Sequence, residues 1–149
     1  MRKSVSNDPA LVAEILDQAE VLHLALADAA GPYCVAVNFA REGRTLYLHT
    51  GLKGRKAAAL AAGGLLAFAA ETGLEKKQGE KACQWGYRFR SVQGRGIPRF
   101  LEGADKRRAL GLIMRKYAGS DDFPYDEKIL EQTGVAAIAV EAATARVKD

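Results

Sequence analysis

The fold is decided by one stretch of the chain, which reads Leu46-Tyr47-Leu48-His49-Thr50-Gly51-Leu52-Lys53-Gly54-Arg55-Lys56. Its first half alternates apolar and polar residues, as a β-strand does, and its second half passes through two glycines into the Ala-rich segment 57–62. A strand that ends at Gly51 and a helix that begins near Gly54 direct free backbone N–H groups to one point, where the helix dipole adds partial positive charge. This arrangement is typical of a site for a phosphate group.

Residues 50–56, named here the phosphate cradle, also carry side chains that complement an anion. Thr50 offers a hydroxyl donor, Arg55 a guanidinium that can bind two oxygens, and Lys56 a flexible point charge. The segment has neither the GxxxxGK[ST] nor the GxGxxG spacing, so the expected ligand is a monophosphate. His49 is a candidate ligand contact beside the cradle, with a strand-end imidazole bonded to backbone as the alternative. A solvated basic helix start is the alternative for the cradle itself.

Composition limits the class of protein. With 149 residues, 48% hydrophobic content and a net charge of +4, the chain is expected to form one domain over residues 1–149 and to suit a small anionic ligand as well as nucleic acid. Cys34 and Cys83 have no metal-ligand or disulfide spacing, which predicts reduced thiols, no metal site and a cytoplasmic location. The sequence has neither a signal-type block nor an apolar run of about 18 residues, so no membrane association is expected.

Periodicity predicts helices over about 9–19, 57–62, 104–118 and 126–132, and strands over 21–27, 33–39, 45–49, 65–69, 85–101 and 135–141. The first three strands are expected to form an antiparallel meander, the fourth to be buried on both faces, and residues 71–81 to form a mobile loop. Gly94 and Gly96 predict a bulge or a close backbone approach. Six or seven strands with inserted helices indicate an α+β fold, a mainly antiparallel Greek-key barrel.

Other candidate residues receive structural interpretations. His23 lies among leucines and is expected to be a satisfied core histidine. The third helix is expected to expose a solvated basic face of Lys106, Arg107, Arg108, Arg115 and Lys116. The segment 87–92 mixes aromatic residues with arginines but lacks the RNP1 pattern, so nucleic acid is not an expected partner. No Ser/His/Asp or Cys/His motif is recognisable, so any catalysis is expected to rest on a cofactor.

Four segments, in this order, carry a resemblance over nearly the whole chain: Pro32-Tyr33-Cys34-Val35-Ala36-Val37-Asn38-Phe39, Leu46 to Thr50 with Gly54-Arg55-Lys56, Tyr87 to Gly94, and Leu110 to Tyr117. Together they resemble the pyridoxamine 5'-phosphate oxidase-like, FMN-binding split-barrel superfamily, and within it the branch related to nitroimidazole-resistance proteins. The fold that this resemblance implies is a split β-barrel that forms a homodimer, with FMN at the subunit interface.

The resemblance also implies roles for individual residues. The phosphate would be held at Thr50, Arg55 and Lys56, the flavin ring would lie along Val35, Ala36, Val37 and Asn38, and Arg90 and Ser91 would come from the long strand near the flavin. The implied function is hydride or electron transfer on an unidentified small molecule, with a non-catalytic haem-binding or flavin-storage protein as the alternative. No substrate is implied, because residues 143–149 lack the Arg and His pair with which vitamin-forming oxidases hold pyridoxal phosphate. Arg55 also stands where a histidine can occur in the nitroimidazole branch.

Overall fold

Pairing of long antiparallel strands organises residues 4–149, the part of the chain that this computed structural model describes. The elements in chain order are β1 (Val5–Ser6), α1 (Pro9–Gln18), β2 (Leu22–Asp28), β3 (Gly31–Val37), β4 (Ala40–Glu42), β5 (Thr45–Gly51), α2 (Arg55–Ala62), β6 (Leu66–Lys77), β7 (Gly86–Phe100), α3 (Gly103–Ala118), α4 (Glu127–Gln132) and β8 (Thr133–Lys148). A single 3₁₀ turn at Ala82–Gln84 lies between β6 and β7.

The strands form one sheet in the order β3-β2-β6-β7-β8-β5-β4, with β1 added to β8. Every pairing within the described residues is antiparallel. Because β3 and β4 are the two ends of this order, the sheet does not close. The predicted α+β class and the split, mainly antiparallel barrel are therefore confirmed, with eight strands where six or seven were expected.

The main core lies on the inner face of this sheet. A second, smaller cluster lies on the other face of β8, where Val135 and Ala137 group with Leu101, Ala109, Leu110 and Leu130. Alternating residues of each strand point inward, as Leu22, Leu24 and Leu26 do in β2 and Leu46 and Leu48 do in β5. Helix α1 adds its apolar side to the main core, and its N-terminus is capped where the Asp8 carboxylate accepts from Ala10 N at 3.0 Å. Each helix among residues 4–149 is too short or too polar to cross a membrane.

The prediction of a meander of three strands is wrong. β2 and β3 do form a hairpin, but β5 pairs with β4 and β8 and not with β3. The register sets Leu46 opposite Ile138 and Leu48 opposite Ala136, all four of them buried. Alternation along a strand records which face is buried and carries no information on which strand lies beside it. The chain therefore leaves β3 and joins the other end of the sheet, which opens the split.

The predicted strand at 65–69 is present, but two details of the predictions for residues 65–81 are wrong: its burial on both faces and the loop over residues 71–77. β6 buries only one face, with Leu66, Phe68 and Ala70 inward and Ala67 exposed. It continues to Lys77 as a paired strand of a long hairpin with β7, not as a mobile loop. The outer half of this hairpin has solvent on both faces, so it shows no apolar period, and its pairing with β7 supplies the order that local composition does not. β8 likewise runs through Lys148, well beyond the predicted 135–141, because it pairs with β7 along nearly its whole length.

Gly94 and Gly96 do mark both a bulge and a close backbone approach, as predicted. The β7–β8 register shifts between Arg95 and Gly96. A Cβ on Gly96 would lie 2.5 Å from Ala139 O, and one on Gly94 would lie 2.6 Å from Ala142 O and closer still to the Phe68 ring. Both positions therefore require glycine for packing, without any need for a positive φ.

The prediction that Lys116 lies on the solvated outer face of α3 is wrong. Its Nζ donates to Leu16 O at 3.0 Å and lies 3.6 Å from the centroid of the Phe39 ring. Burial lowers the pKa of Lys116 to about 8. The ammonium group bonds a carbonyl in the last turn of α1, where the helix dipole favours a cation. The arginines of that face pair with acids, namely Arg107 with Glu127, Arg108 with Glu42 and Arg115 with Asp121.

We predict that Gly94→Ala lowers the free energy of unfolding by about 1–3 kcal/mol, because the added Cβ overpacks the contact with Phe68 and Ala142. Denaturant unfolding of the two proteins measures the difference. Gly64→Ala is the matched control, since a Cβ there would meet no atom within 4 Å, and its change should stay within about 0.5 kcal/mol. Equal stability of Gly94→Ala and the wild type would contradict this packing.

We predict a pH-dependent gain in stability that depends on Lys116. Its pKa is about 8 in the fold against an ordinary value of 10.5, so the unfolded chain binds more protons between these values. The free energy of unfolding therefore rises with pH across this window. Lys116→Met should lose that rise, and Lys128→Met on exposed α4 should keep it, as measured by urea unfolding below and within the window. Identical pH profiles for wild type and Lys116→Met would disprove the assignment.

Candidate functional site

The phosphate cradle lies where β5 ends and α2 begins. Thr50 points inward and is only 7% exposed, while Gly51 and Gly54 are exposed at the surface. Gly54 is the N-cap of α2 with a φ of 102°, a conformation that favours glycine, and no side chain among residues 4–149 caps this helix. The first N–H groups of α2 therefore remain available to an anion.

Arg55 is held in a fixed position across the split of the sheet. Its Nε donates to Asp28 Oδ2 at 2.6 Å, and its Nη2 donates to Asp28 Oδ1 at 2.8 Å and to Gly31 O at 3.0 Å. The guanidinium carbon lies 3.9 Å from the centroid of the Tyr33 ring. Asp28 is itself anchored, because its Oδ1 accepts from Ala30 N at 2.9 Å. We call this set of contacts the Asp28 clamp.

The clamp determines which part of Arg55 is free. Among the described residues, Nη1 is the guanidinium nitrogen without a hydrogen-bond partner, so it is the donor left for a ligand. The hydrogen bond from Arg55 holds the pKa of Asp28 below its usual value and raises the pKa of Arg55 itself. Because the pKa of Asp28 is lowered, the clamp stabilises the fold above the ordinary carboxyl pKa and is lost as the pH falls through the lowered value.

Lys56 supplies the uncompensated charge of the cradle. It is half-buried, and no carboxylate within residues 4–149 forms an ion pair with it. His49 is close in sequence but lies on the other face of β5, because Thr50 is buried and His49 is exposed. Gly51 and residues 54–56 therefore lie at the surface around the start of α2, whereas Thr50 is buried and His49 is exposed on the opposite face of β5.

The predicted ring-binding segment, Val35 to Asn38, lies on the strand at the end of the sheet. β3 pairs with β2 on one side, and no strand within residues 4–149 pairs with its other edge. Val37 is buried and Val35 half-buried, whereas Ala36 and Asn38 are exposed. Since Arg55 contacts Gly31 and Tyr33 on the same strand, the first half of β3 lies beside the start of α2. Its backbone N–H and C=O groups are available for a ligand there.

Arg90 and Ser91 are not near the cradle of their own chain. Arg90 points to α1, where its Nη1 donates to Glu14 Oε1 at 2.8 Å and to Gln18 Oε1 at 3.3 Å. Ser91 faces the opposite side of β7. Helix α2 ends against the other end of this strand, where a Cβ on Gly63 would lie 3.9 Å from Pro98 O. The eight residues from Ser91 to Pro98 span roughly 23 Å of strand.

The outer face of the sheet carries a groove that the sequence did not indicate. It encloses about 670 Å³, and we name it the alanine groove; its lining includes His23, Ala25, Cys34, Ala67, Ala69, Gln93, Arg95, Ala142 and Thr144. The prediction that His23 is a core residue is wrong. His23 Nε2 lies 3.0 Å from Glu71 Oε1, and the two side chains are 38% and 39% exposed. The sequence did contain the information that His23 faces outward, because His23 alternates with the buried Leu22 and Leu24 along β2.

Asp28, Tyr33 and Glu71 were missed for a different reason. Each meets its partner only through the fold, and Asp28 in particular reads locally as a turn residue before Gly31. No short motif links residue 28 to residue 55.

Within residues 4–149, no group of three or more His, Cys, Asp or Glu side chains is arranged to hold a metal ion.

Known proteins match this chain over most of its length. The family model described as pyridoxamine 5'-phosphate oxidase matches residues 8–147. A candidate 5-nitroimidazole antibiotic resistance protein of Bacteroides thetaiotaomicron is 30% identical and superposes with a TM-score of 0.83, covering 96% of this chain and 86% of its own. No curated protein sequence gives a significant match.

Two more distant structures share the fold. The FAD and haem binding protein of Mycobacterium smegmatis has a TM-score of 0.87 at 18% identity, over 99% of this chain and 74% of its own. A flavocytochrome of Azotobacter vinelandii has a TM-score of 0.84 at 23% identity, over 98% and 70%. With a family model that spans nearly all of the sequence and a 30% identical relative of the same fold, the chain belongs to the pyridoxamine 5'-phosphate oxidase family.

Proposed function

We propose that the protein is an FMN-binding oxidoreductase that transfers hydride or electrons to or from a small molecule. The observation that carries this proposal is the cradle, where the open N-terminus of α2 meets the unpaired charge of Lys56 and the free Nη1 of Arg55. A phosphate monoester is complementary to this set, since it accepts several hydrogen bonds and carries the opposite charge. The flavin-binding relatives of the same fold support a flavin as the molecule attached to that phosphate.

The free edge of β3 fits the polar side of a flavin ring. Residues Val35 to Val37 would offer backbone donors and acceptors, and Asn38 an exposed amide, beside the cradle that holds the phosphate. Thr50 would donate from within the cradle, and His49 would border it. Bound FMN would supply the redox chemistry, whereas the chain contributes position and electrostatics.

A homodimer with FMN between its subunits forms part of the proposal. Arg90 and Ser91 lie far from the cradle of their own chain. In a dimer, these residues of β7 would instead contact the flavin held by the cradle of the other subunit. Both cysteines are exposed free thiols, which suits a reducing cytoplasmic location.

We predict that Lys56→Ala weakens FMN binding by about tenfold or more, because one charge-assisted contact to the phosphate is lost. Riboflavin, which has the same ring without the phosphate, should bind wild type and variant alike. Fluorescence titration of purified protein freed of flavin measures both ligands, and sedimentation in the same buffer reports the oligomer. Lys128→Ala on exposed α4 is the control and should bind FMN as wild type does.

Three outcomes would contradict the proposed function. If FMN leaves both the thermal melt and the flavin fluorescence of the wild type unchanged, the protein is not an FMN protein. If the purified protein instead carries a Soret band and no flavin absorbance, haem is its cofactor. Loss of riboflavin binding in parallel with FMN in Lys56→Ala would show that the variant damages the whole site and that the cradle is not a phosphate site.

We also predict that Asp28→Asn weakens FMN binding by roughly twofold to tenfold. Without Asp28, the Arg55 side chain loses its conformational entropy only when FMN binds, and this loss reduces the binding free energy. Asp17→Asn is the matched control, because Asp17 forms a similar two-pronged pair with Arg41 at 2.9 and 2.6 Å away from the cradle. Titration with FMN measures both variants. Tighter binding in Asp28→Asn would mean that Asp28 competes with the phosphate for Arg55 and does not position it.

A further inference from the structure

Arg146 differs from the other arginines in the described part of the chain. Most of them form an ion pair with a carboxylate, and Arg44 donates to the carbonyls of Val140 and Glu141. Arg99 has no such partner but is exposed, so water solvates it. Arg146 is half-buried, and no carboxylate among residues 4–149 pairs with it.

The hydrogen-bonding capacity of Arg146 is also unfilled. Its Nε is buried and has no hydrogen-bond partner within the described residues. The guanidinium lies 5.6 Å from the centroid of the Phe89 ring, which stabilises a cation only weakly at this distance. Residues 1–3 read Met-Arg-Lys and offer no acidic side chain. A buried Nε–H without an acceptor costs free energy, so we expect an acceptor from outside the described residues, and an anion would also complement the charge of Arg146.

The surroundings of Arg146 are those of an anion site. The β7–β8 register sets Ser91 opposite Arg146 and Gln93 opposite Thr144, all on the outer face of the sheet. A cavity of about 290 Å³ is lined by these four residues and Val5. Two hydroxyls and an amide can donate alongside the planar guanidinium fork, which matches a carboxylate in two-point geometry.

The Arg146 cavity adjoins the alanine groove, because Gln93 and Thr144 line both. A ligand anchored at Arg146 can therefore extend over an apolar floor formed by Ala69 and Ala142. We infer that Arg146, with Ser91, Gln93 and Thr144, binds the carboxylate of a small aromatic acid whose ring lies in the alanine groove. That this acid is the redox substrate rests on the proposed function, whereas binding of the acid does not.

Benzoate, titrated into the full chain without FMN, tests this inference. We expect benzoate to shift the NMR resonance of the Arg146 Nε–H, and Arg146→Met to weaken binding by about tenfold or more. Benzamide, the uncharged analogue, should bind the wild type about as weakly as benzoate binds the variant. Arg99→Met is the matched control, since it removes an arginine that also lacks an ion pair but is exposed, and it should leave benzoate binding unchanged.

Arg146→Lys keeps the charge but not the fork, so it should bind benzoate with intermediate affinity. If Arg146→Met does not fold, the benzoate affinity of Arg146→Lys and the Nε–H shift of the wild type test the inference instead. Equal benzoate affinity in wild type and Arg146→Met, or an Nε–H resonance that benzoate leaves in place, would overturn the inference. So would a dimer that dissociates on Arg146→Met while benzoate has no effect, since a carboxylate of a second copy would then be the counter-ion.

The two proposals fail separately. Loss of the benzoate effect with normal FMN binding would overturn the aromatic-acid site alone. Failure of FMN to bind while benzoate still shifts Arg146 would overturn the proposed function and leave this site intact.

Discussion

The ladder between β7 and β8 is the constraint on which the rest of the structure depends. β6 attaches to one side of this ladder and β5 and β1 attach to the other, so its register sets the position of every other strand. Glycines 94 and 96 permit it, because a side chain at either would clash with Phe68 or with the backbone of β8. The same register brings Ser91 and Arg146 together on the outer face, so core packing and the candidate anion site share one cause.

The Asp28 clamp connects the start of α2 to the β2–β3 hairpin. The sheet order leaves β3 with a free edge, and Arg55 spans from the start of α2 to the β2–β3 hairpin. An exposed ion pair alone contributes little to stability, but this one also orders a long side chain beside the cradle. Its main consequence is preorganisation, since a ligand meets a guanidinium that has already lost its conformational freedom.

The distribution of counter-ions separates structural cations from candidate functional ones. The basic residues of α3 either pair with acids or, as Lys116 does, bond a carbonyl at the end of α1. Lys56 and Arg146 are half-buried and have no carboxylate partner in the described part of the chain. Partly buried charge without a counter-ion costs free energy, which makes these two residues the candidates for contacts with an anion.

The sequence by itself determined the α+β class, the positions of the helices and the strand-to-helix junction at residues 50–56, because each depends on neighbours within a few residues. The strand-to-helix junction at residues 50–56 is such a case, since its glycines, hydroxyl and basic residues are contiguous. The tertiary structure alone decided that β5 pairs with β8, that residues 71–77 are a strand, that Asp28 holds Arg55 and that Arg146 has no carboxylate partner among residues 4–149. Local periodicity records the buried face of a strand but not its partners, and these contacts join residues distant in sequence.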